Sequence, residues 1–472
     1  MPRLAVERLE DRAVPAVTNP TPVGLTPAEV RHAYGFDLIP GLSGNYNTAG
    51  AGQTVAVVMA GHHPSIASDL RVFSQTFGLP DATLVQLNQR GSGSGPWPAV
   101  NAAWAGEIAL DVEWVHAVAP AAKIVLVEAN SARVSDLAAA IDTARKFPGV
   151  SAVSMSWGLL QGPGMDAYET YFTTPPGHTP VTFVAATLDN GLAYPSNLYW
   201  PSVSPKVVAV GGTSLTLDAA GNYQSEVGWG PSTGGVSTWF AQPAYQKGVV
   251  TQSTTYRTAP DVSYHADNTG RGFAVYSTVP YNRQTGWFNA SGDSAGAPQW
   301  AALVAIANQQ RAAAGRPTLD GPTQVLPGLY ALAKVSYPTY YHDVTTGANG
   351  KYSAGVGYDL VTGLGTPKAD ALVPALASLT GSGATVAFLA PVSAPAFAGL
   401  TAEVGGGFGG YVAPAENATR RPVPRNDHAG IATAAKVVTA APGRPALVAP
   451  PGLEESSRDA SPLAAWWAAI WV

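Results

Sequence analysis

Glu107 and Asp111 lie four residues apart within 101–118, a segment whose apolar spacing predicts a helix. Residues at this spacing project from the same helix face, with about 5–6 Å between their Cβ atoms. Ile108 and Val112 make that side of the helix largely apolar, so the two carboxylates would repel unless they share a proton or a hydrogen bond. On many helices such a pair is two solvated surface acids, whereas in a cleft it is suited to proton transfer.

A candidate nucleophile, Ser294, lies in the segment GDSAGAP at 292–298, ahead of an apolar run with helical character. A serine at a helix start after a glycine turn is expected to be exposed and close to backbone N–H groups. The ordinary alternative is a serine that caps the helix. A third candidate acid, Asp189, follows a buried apolar run and precedes Asn-Gly, where an aspartate is ordinarily a turn residue.

Two further aspartates, Asp343 and Asp359, lie in the segments DV at 343–344 and GVGYD at 355–359. Carboxylates and the backbone carbonyls that glycines expose are hard oxygen ligands, which suit calcium. Two separate Asx turns would explain the same residues. Together the segments are a candidate calcium site.

The elements that must position these side chains follow from the apolar pattern. Short apolar runs predict buried strands at 54–60, 123–128, 151–156, 181–186 and 206–210. Helical spacing predicts helices at 66–77 and 135–147, the first of them after Pro64. This alternation predicts an α/β domain, from about residue 25 to 380, with a mostly parallel central sheet and helices on both faces.

The composition excludes several classes of function. There is no cysteine, which excludes disulfides, thiolate metal sites and a cysteine nucleophile. A net charge of -5 offers nothing to favour a nucleic-acid partner. No apolar run is long enough to predict a transmembrane segment. Charged residues make up only 12% of the chain, so few ion pairs are lost when carboxylates are protonated, and tolerance of acid is expected.

The two ends of the chain differ from its centre. Residues 1–24 are predicted to be an N-terminal leader or disordered segment, without the apolar core of an ordinary signal peptide. The run LEDR at 9–12, followed by Pro15, is similar to a short leader on some exported bacterial proteins. Residues 381–472 are rich in alanine, proline and glycine, which predicts a disordered tail with an apolar, tryptophan-rich end. We expect a monomer in an extracellular or cell-envelope location.

The segment from about residue 25 to 379 resembles the sedolisin family, the serine-carboxyl peptidases, which have a subtilisin-like three-layer α/β fold. The motifs of the resemblance follow one another in the order GQTVAVVMA, PSIASDLRVFSQTFGLP, WAGEIALDVEWVHAVAP, KIVLVEANS, VSMSWG, YPS, VAVGGTSL, APDVSYHAD, the serine segment, HDVTTGANG and GYDLVTGLGTPK. The Glu-x-x-x-Asp pair, the serine segment and the calcium segment are specific as a set, although each alone is a weak signal.

The resemblance implies a serine-type endopeptidase that hydrolyses peptide bonds in proteins or peptides at acid pH, through an acyl-enzyme on Ser294. Glu107 would be the general base, Asp111 would hydrogen-bond to it, and Asp189 would donate to the oxyanion. Ser156, Trp157 and Gly158 would line the cleft and pair with the substrate backbone. One structural Ca²⁺ would be held by Asp343, Asp359 and the carbonyls of Val344, Gly355 and Gly357.

This set of residues is chemically consistent. A serine hydroxyl needs a base to take its proton, and a carboxylate base with an ordinary pKa of about 4.3 works best in acid. Asp189 can donate a hydrogen bond to an oxyanion only while it is protonated, a state that low pH and burial both favour.

Three features depart from the family pattern. Asp293 stands where the family usually has threonine before the nucleophile, and an ionised carboxylate there could disturb the oxyanion site. Leu188 stands where the family has the glycine of Ser-Gly-Asp, so it lacks that residue's backbone freedom. We also expect the catalytic part to begin within about 25 residues of Met1, whereas the family usually has a large N-terminal prodomain there.

Other classes of function fit less well. A classical subtilisin triad needs a histidine in a His-Gly-Thr helix start, and none of the eight histidines lies in one. GDSAG also fits the esterase motif G-x-S-x-G, but the only histidine that follows a suitable aspartate is His428, in the predicted tail. Asp293 and Leu188 also motivate a non-enzymatic alternative, a catalytically impaired scaffold used for binding or cell-surface display.

Overall fold

The structure is a computed structural model that describes residues 17–42, 44–192, 197–281, 283–381 and 387–388. Residues 1–16 of the predicted leader, nearly all of the predicted tail and the YPS motif at 194–196 lie outside the described residues. The α-helices of the described part are α1 (Pro27–Ala33), α2 (Ile66–Thr76), α3 (Ala102–Val118), α4 (Val134–Lys146), α5 (Gly296–Ala313), α6 (Leu326–Tyr340) and α7 (Ala369–Ala377).

The strands are short, and many of them are fully buried. They are β1 (Val17–Asn19), β2 (Thr54–Ala60), β3 (Thr83–Asn88), β4 (Lys123–Ala129), β5 (Val150–Met155), β6 (Leu159–Leu160), β7 (Thr182–Ala186), β8 (Tyr199–Trp200), β9 (Val208–Leu217), β10 (Tyr223–Gly228), β11 (Gly235–Ala241), β12 (Tyr256–Ala259), β13 (Val262–His265), β14 (Phe273–Tyr281), β15 (Gln284–Ala290), β16 (Tyr341–His342), β17 (Thr366–Pro367), β18 (Leu379–Thr380) and β19 (Ala387–Phe388).

A central sheet of eight strands has the order β10-β9-β7-β5-β2-β4-β3, with β13 paired to β9 outside this path. All of its pairings are parallel except that of β9 with β10. Strands β2, β5 and β7 are buried along their whole length, as apolar strands covered on both faces must be. The predicted mostly parallel sheet is confirmed.

Helices cover both faces of this sheet. On one face α3 packs against α2, α5 and strand β2, while α4 packs across β2, β4 and β5 on the other. The three layers confirm the predicted α/β class, in which the carboxyl ends of parallel strands form one edge where sites commonly lie.

Local sequence signals explain where the key elements begin. Asn101 caps α3, because its side chain accepts a hydrogen bond from the backbone N–H of Trp104 at 3.1 Å. The predicted helices at 101–118, 66–77 and 135–147 agree with α3, α2 and α4 to within a residue or two. The strand predicted at 206–210 begins at Val208 and extends to Leu217, because its second half pairs with β10.

Among the described helices, none combines the length and the apolar character that a membrane span requires.

Candidate active site

Three elements bring Ser294, Glu107 and Asp189 together. Ser294 lies in a single 3₁₀ turn, Asp293–Ala295, directly ahead of α5. Glu107 belongs to the central part of α3, which packs against α5. Asp189 follows strand β7, which also contacts the 3₁₀ turn. The sequence motifs therefore converge at one end of the central sheet.

Glu107 is buried beside Ser294. Burial has the largest effect on the pKa of Glu107 and raises it to about 8, and the charge of the nearby Asp189 also raises it. The contact with the Ser294 hydroxyl lowers this pKa, but by less than burial raises it. Neither carboxylate oxygen of Glu107 has a hydrogen bond of good geometry. Contacts between a nucleophile and its base are often long before substrate binds, so this geometry is compatible with the roles predicted for Ser294 and Glu107.

Asp111 makes a different contact from the expected one. Its carboxyl oxygens lie 2.8 and 2.9 Å from the Ser156 hydroxyl, which is also 3.1 Å from the backbone carbonyl of Ser294. No hydrogen bond joins Asp111 to Glu107, because neither carboxyl oxygen of Glu107 has a well-formed hydrogen bond. Burial, followed by the charge of Glu107, raises the pKa of Asp111 well above its usual range. Asp111 thus holds Ser156 and, through it, the backbone at Ser294.

Asp189 faces the serine turn from the other side. Its Oδ1 accepts a hydrogen bond of 2.9 Å from the backbone N–H of Asp293, while its Oδ2 is buried without a partner. A Cβ atom built on Gly292, whose φ is +118°, would lie only 2.6 Å from that Oδ2. Glycine is therefore required there. Burial raises the pKa of Asp189 to about 6, so the carboxyl is protonated in acid.

Asp293, the residue that departs from the family pattern, is also buried and turned away from Ser294. Its Oδ2 accepts hydrogen bonds from the hydroxyls of Thr187, at 2.7 Å, and Ser232, at 2.9 Å. Its Oδ1 lies against Gly212, where a Cβ atom would be 2.2 Å away. Burial, followed by the charge of Asp189, raises the pKa of Asp293 well above its usual range. The protonated carboxyl fits this site without placing a charge beside the nucleophile.

Two residues of this site have no signal in the sequence. Thr187 and Ser232 are ordinary hydroxyl residues of two loops, and only the fold brings them to Asp293. Ser232 is held in turn by the backbone N–H of Gly212, which donates to its hydroxyl at 2.8 Å.

Ser294 is only 1% exposed, so the expectation of an exposed serine was wrong. The turn that carries it is covered by α3 and by the end of β7, which pack directly on it. Among the described histidines, those buried at positions 63, 116 and 265 hydrogen-bond to groups elsewhere. A carboxylate therefore takes the place beside Ser294 that an imidazole has in a classical triad.

The predicted substrate-binding segment follows strand β5. Trp157 is buried, and its indole N–H donates to the carbonyl of Val58 at 2.8 Å. Ser156 is turned inward towards Asp111. Any pairing of residues 156–158 with a substrate would therefore use backbone groups.

The predicted calcium segment brings two carboxylates into one loop region. Asp343 accepts a hydrogen bond from the backbone N–H of Gly357, and Asp359 accepts one from Gly355, each at 3.1 Å. Burial raises the pKa of both carboxyls. In the described part of the chain neither makes an ion pair with a basic side chain, and no cluster of three or more metal-ligating side chains occurs. A cation here would therefore depend on two carboxylates and backbone carbonyls.

Comparison with known proteins agrees with this geometry. The chain is 32% identical over 385 residues to kumamolisin from Bacillus sp. (strain MN-32), and 26% identical over 349 residues to sedolisin from Pseudomonas sp. (strain 101). These matches span 75% and 67% of this chain, and 64% and 56% of the two relatives. No protein-family model matches the chain.

A solved structure shows the same fold. Pseudomonas sedolisin, described as a serine-carboxyl proteinase complexed with two molecules of pseudo-iodotyrostatin, matches 75% of this chain and 98% of its own with a TM-score of 0.63 and 24% identity. The fold is thus the subtilisin-like α/β fold of that enzyme. The chain is thus similar in sequence to kumamolisin and sedolisin and in fold to sedolisin, and it spans less than two thirds of the length of these two relatives.

Proposed function

We propose that this protein is a serine-type endopeptidase of the serine-carboxyl class, which hydrolyses peptide bonds in protein or peptide substrates through an acyl-enzyme on Ser294. The observation that carries this proposal is the position of Ser294 between two acids of different character. Glu107 contacts the Ser294 hydroxyl without a well-formed hydrogen bond at either carboxyl oxygen, and Asp189, held by the N–H of Asp293, presents an unpartnered Oδ2.

The reaction would proceed in two halves. Glu107 takes the proton of the Ser294 hydroxyl while Oγ attacks the peptide carbonyl carbon. The carbonyl oxygen becomes an oxyanion that accepts a hydrogen bond from protonated Asp189. When the C–N bond breaks, Glu107 returns the proton to the leaving amine. Water then attacks the acyl-enzyme, Glu107 takes the proton of that water, and the released Ser294 recovers a proton from Glu107.

This scheme requires one proton shared between two acids. Glu107 must be ionised to act as a base, while Asp189 must be protonated to act as a donor. Because the two carboxyls are close and interact, their protons leave in two steps that belong to the pair. Burial raises the pKa of Glu107 to about 8 and that of Asp189 to about 6, so the form with one proton persists at pH values where exposed carboxyls would both be ionised. In the free enzyme that proton lies mainly on Glu107, and the reaction uses the minor form in which it lies on Asp189.

The pH profile of activity tests this proposal. With a denatured protein as substrate, we expect cleavage to follow a bell-shaped curve that falls on both sides of the pH range in which the pair holds one proton. The acid limb reflects uptake of a second proton by the Glu107–Asp189 pair, and the alkaline limb reflects loss of its last proton. An enzyme with an imidazole base would instead gain activity as the pH rises through about 6.5.

Asp189→Asn is the informative variant in this experiment. Its carbonyl oxygen can accept the hydrogen bond from the N–H of Asp293, which leaves its NH₂ group where Oδ2 now lies. Because an amide donor does not titrate, Asp189→Asn should keep activity within about tenfold of the wild type and should remain active at higher pH. Asp189→Ala has no donor, and its activity should fall by about 100-fold or more. Activity that rises steadily through neutral pH in the wild type, or an intact fold that cleaves nothing, would contradict the proposal.

One structural Ca²⁺ is the second part of the proposal. The donors would be the carboxylates of Asp343 and Asp359 and the carbonyls of Val344, Gly355 and Gly357. The support is the pair of carboxylates in one loop region, buried at Asp359 and half-buried at Asp343, without a basic partner among the described residues. Oxygen donors of this kind are those that Ca²⁺ prefers, and the ion would stabilise the loop without taking part in the reaction.

Removal of calcium should destabilise the protein. A ligand present at 100 times its dissociation constant stabilises the folded state by about 2.7 kcal/mol, so in a folded part of about 350 residues a chelator should lower the melting temperature by about 3 to 4 °C. Differential scanning calorimetry with and without chelator measures this shift. Asp343→Asn should abolish it, while Asp166→Asn, a change at an exposed acid, should retain it. An equal melting temperature with and without chelator would refute the calcium site.

We also propose that the protein acts as a monomer outside the cytoplasm, in the extracellular space or at the cell envelope. A low content of charged residues suits an acidic medium, and the absence of cysteine removes any dependence on the redox state of the compartment.

A further inference from the structure

Leu188 has an unusual backbone conformation beside the proposed oxyanion acid. It has a φ of +74°, in the left-handed region that glycine favours. A leucine pays about 1–2 kcal/mol for this conformation. The backbone carbonyl of Leu188 accepts a hydrogen bond of 2.8 Å from the N–H of Thr233. The next residue, Asp189, is held by the N–H of Asp293. The surrounding structure thus imposes the conformation, and backbone strain of this kind is concentrated at functional sites.

The Leu188 side chain bridges two loops that border the proposed site. It is only 7% exposed, and its Cδ1 lies over Gly158. A methyl group built on Gly158 would be 2.9 Å from that Cδ1 and 2.9 Å from the Cβ atom of Tyr199. The space between Gly158 and Leu188 therefore cannot hold even one additional carbon atom.

These two loops leave the sheet side by side. Strands β5 and β7 are parallel neighbours, with Met155 paired to Ala185. The loop after β5 contains Ser156, which contacts the backbone of Ser294, and then Gly158. The loop after β7 contains Leu188 and then Asp189. A crevice between these loops would open directly onto the proposed nucleophile, and Leu188 fills it.

The position of this crevice determines what it would bind, if the proposed function is correct. The substrate residue whose carbonyl is attacked is called P1. Its Cβ atom lies two bonds, or about 2.5 Å, from the carbonyl carbon. With the oxyanion at Asp189, that side chain must lie close to the adjoining Leu188. We propose that Leu188 is a specificity-determining residue, which restricts cleavage to peptide bonds after small P1 residues such as glycine, alanine and serine.

The test compares the wild type with Leu188→Ala and Leu188→Gly on peptides that differ only in P1, alanine or phenylalanine. We expect the wild type to favour alanine in kcat/KM by at least about tenfold, since small differences in pocket size have effects of this order. Both variants should shift the ratio towards phenylalanine by about tenfold or more. Because only Leu188→Gly also relieves the left-handed backbone, agreement between the two variants assigns the effect to the side chain.

Leu38→Ala is the matched control, since Leu38 is 58% exposed in a separate 3₁₀ helix, Phe36–Leu38. It should keep the wild-type ratio. Equal cleavage after alanine and phenylalanine by the wild type, or an unchanged ratio in both Leu188 variants, would overturn the inference.

A binding measurement separates failure of this inference from failure of the proposed function. Titration calorimetry with the same two peptides on Ser294→Ala, and on Ser294→Ala combined with Leu188→Ala, involves no catalytic step. The combined variant should gain affinity for the phenylalanine peptide relative to the alanine peptide by about tenfold. If the wild type cleaves nothing and this affinity ratio still shifts, the pocket is supported and the peptidase proposal fails. An unchanged affinity ratio counts against the pocket whatever the activity.

Discussion

Ser294→Ala is expected to abolish peptide-bond cleavage while leaving the fold intact. The variant has no oxygen to attack the carbonyl carbon, so the acyl-enzyme cannot form, and the rate should fall by at least about 10⁴-fold. The loss should appear in kcat, because Asp189 and the cleft that binds substrate are unchanged. Cleavage of a denatured protein at the optimum pH, followed by mass spectrometry of the products, measures it.

Ser225→Ala is a suitable control, because Ser225 is exposed on strand β10 of the sheet edge. It should retain the wild-type rate. The melting temperature of Ser294→Ala should remain within a few degrees of the wild type, since only one buried oxygen is lost. Undiminished cleavage by a folded Ser294→Ala protein would refute the assignment of the nucleophile.

The fold was largely predictable because its central strands are buried on both faces. The run Thr54–Ala60 is apolar at every position after Thr54, and β2 has those same bounds in the structure. Helix α3 was predictable from its apolar spacing and from its cap at Asn101. Only the inner half of strand β9 was predictable, because its outer half is partly exposed and is held by pairing with β10.

The candidate site was predictable as a set of residues and not as a set of contacts. The spacing of Glu107 and Asp111 showed that they share a helix face, but it could not show that Asp111 would contact Ser156, 45 residues away. Likewise the sequence marked Asp293 as unusual without its partners Thr187 and Ser232. Hydrogen bonds between distant segments depend on the packed fold, which local spacing does not specify.

Other buried acids in the same region have a structural explanation. Strand β14 forms the edge of its own sheet, so some of its backbone N–H groups face away from its partner β15. Those of Tyr276 and Thr278 donate to Glu113 and Asp69 at 3.0 and 2.9 Å. Unpaired edge groups are costly when buried. These two carboxyls therefore satisfy the edge strand, and they need no part in catalysis.

The buried acids should make the protein more stable in acid than at neutral pH. Burial raises the pKa of Glu107, Asp111, Glu113 and Asp293 in the folded state. Folding then keeps protons that the unfolded chain releases above about pH 4. The stabilisation is complete below that pH and is lost as the pH rises towards the folded-state values, by up to about 1.4 kcal/mol per pH unit for each group.

Asp293→Asn isolates one of these groups. The amide cannot ionise, so the free energy of unfolding of the variant should fall less steeply between about pH 4 and about pH 8, by about 1 kcal/mol per pH unit. Its NH₂ group would replace Oδ1, which has no hydrogen-bond partner in its buried position against Gly212, so a constant cost of about 1–3 kcal/mol is expected at every pH. The slope is therefore the quantity to compare.

Urea unfolding at a series of pH values measures that slope. Asp166→Asn, a change at an exposed acid in the loop region before β7, should follow the wild-type curve. If Asp293→Asn and the wild type lose stability in parallel as the pH rises, Asp293 is already ionised in the folded protein. A negative charge would then lie one residue from Ser294, and the oxyanion at Asp189 would form against it rather than in a neutral site.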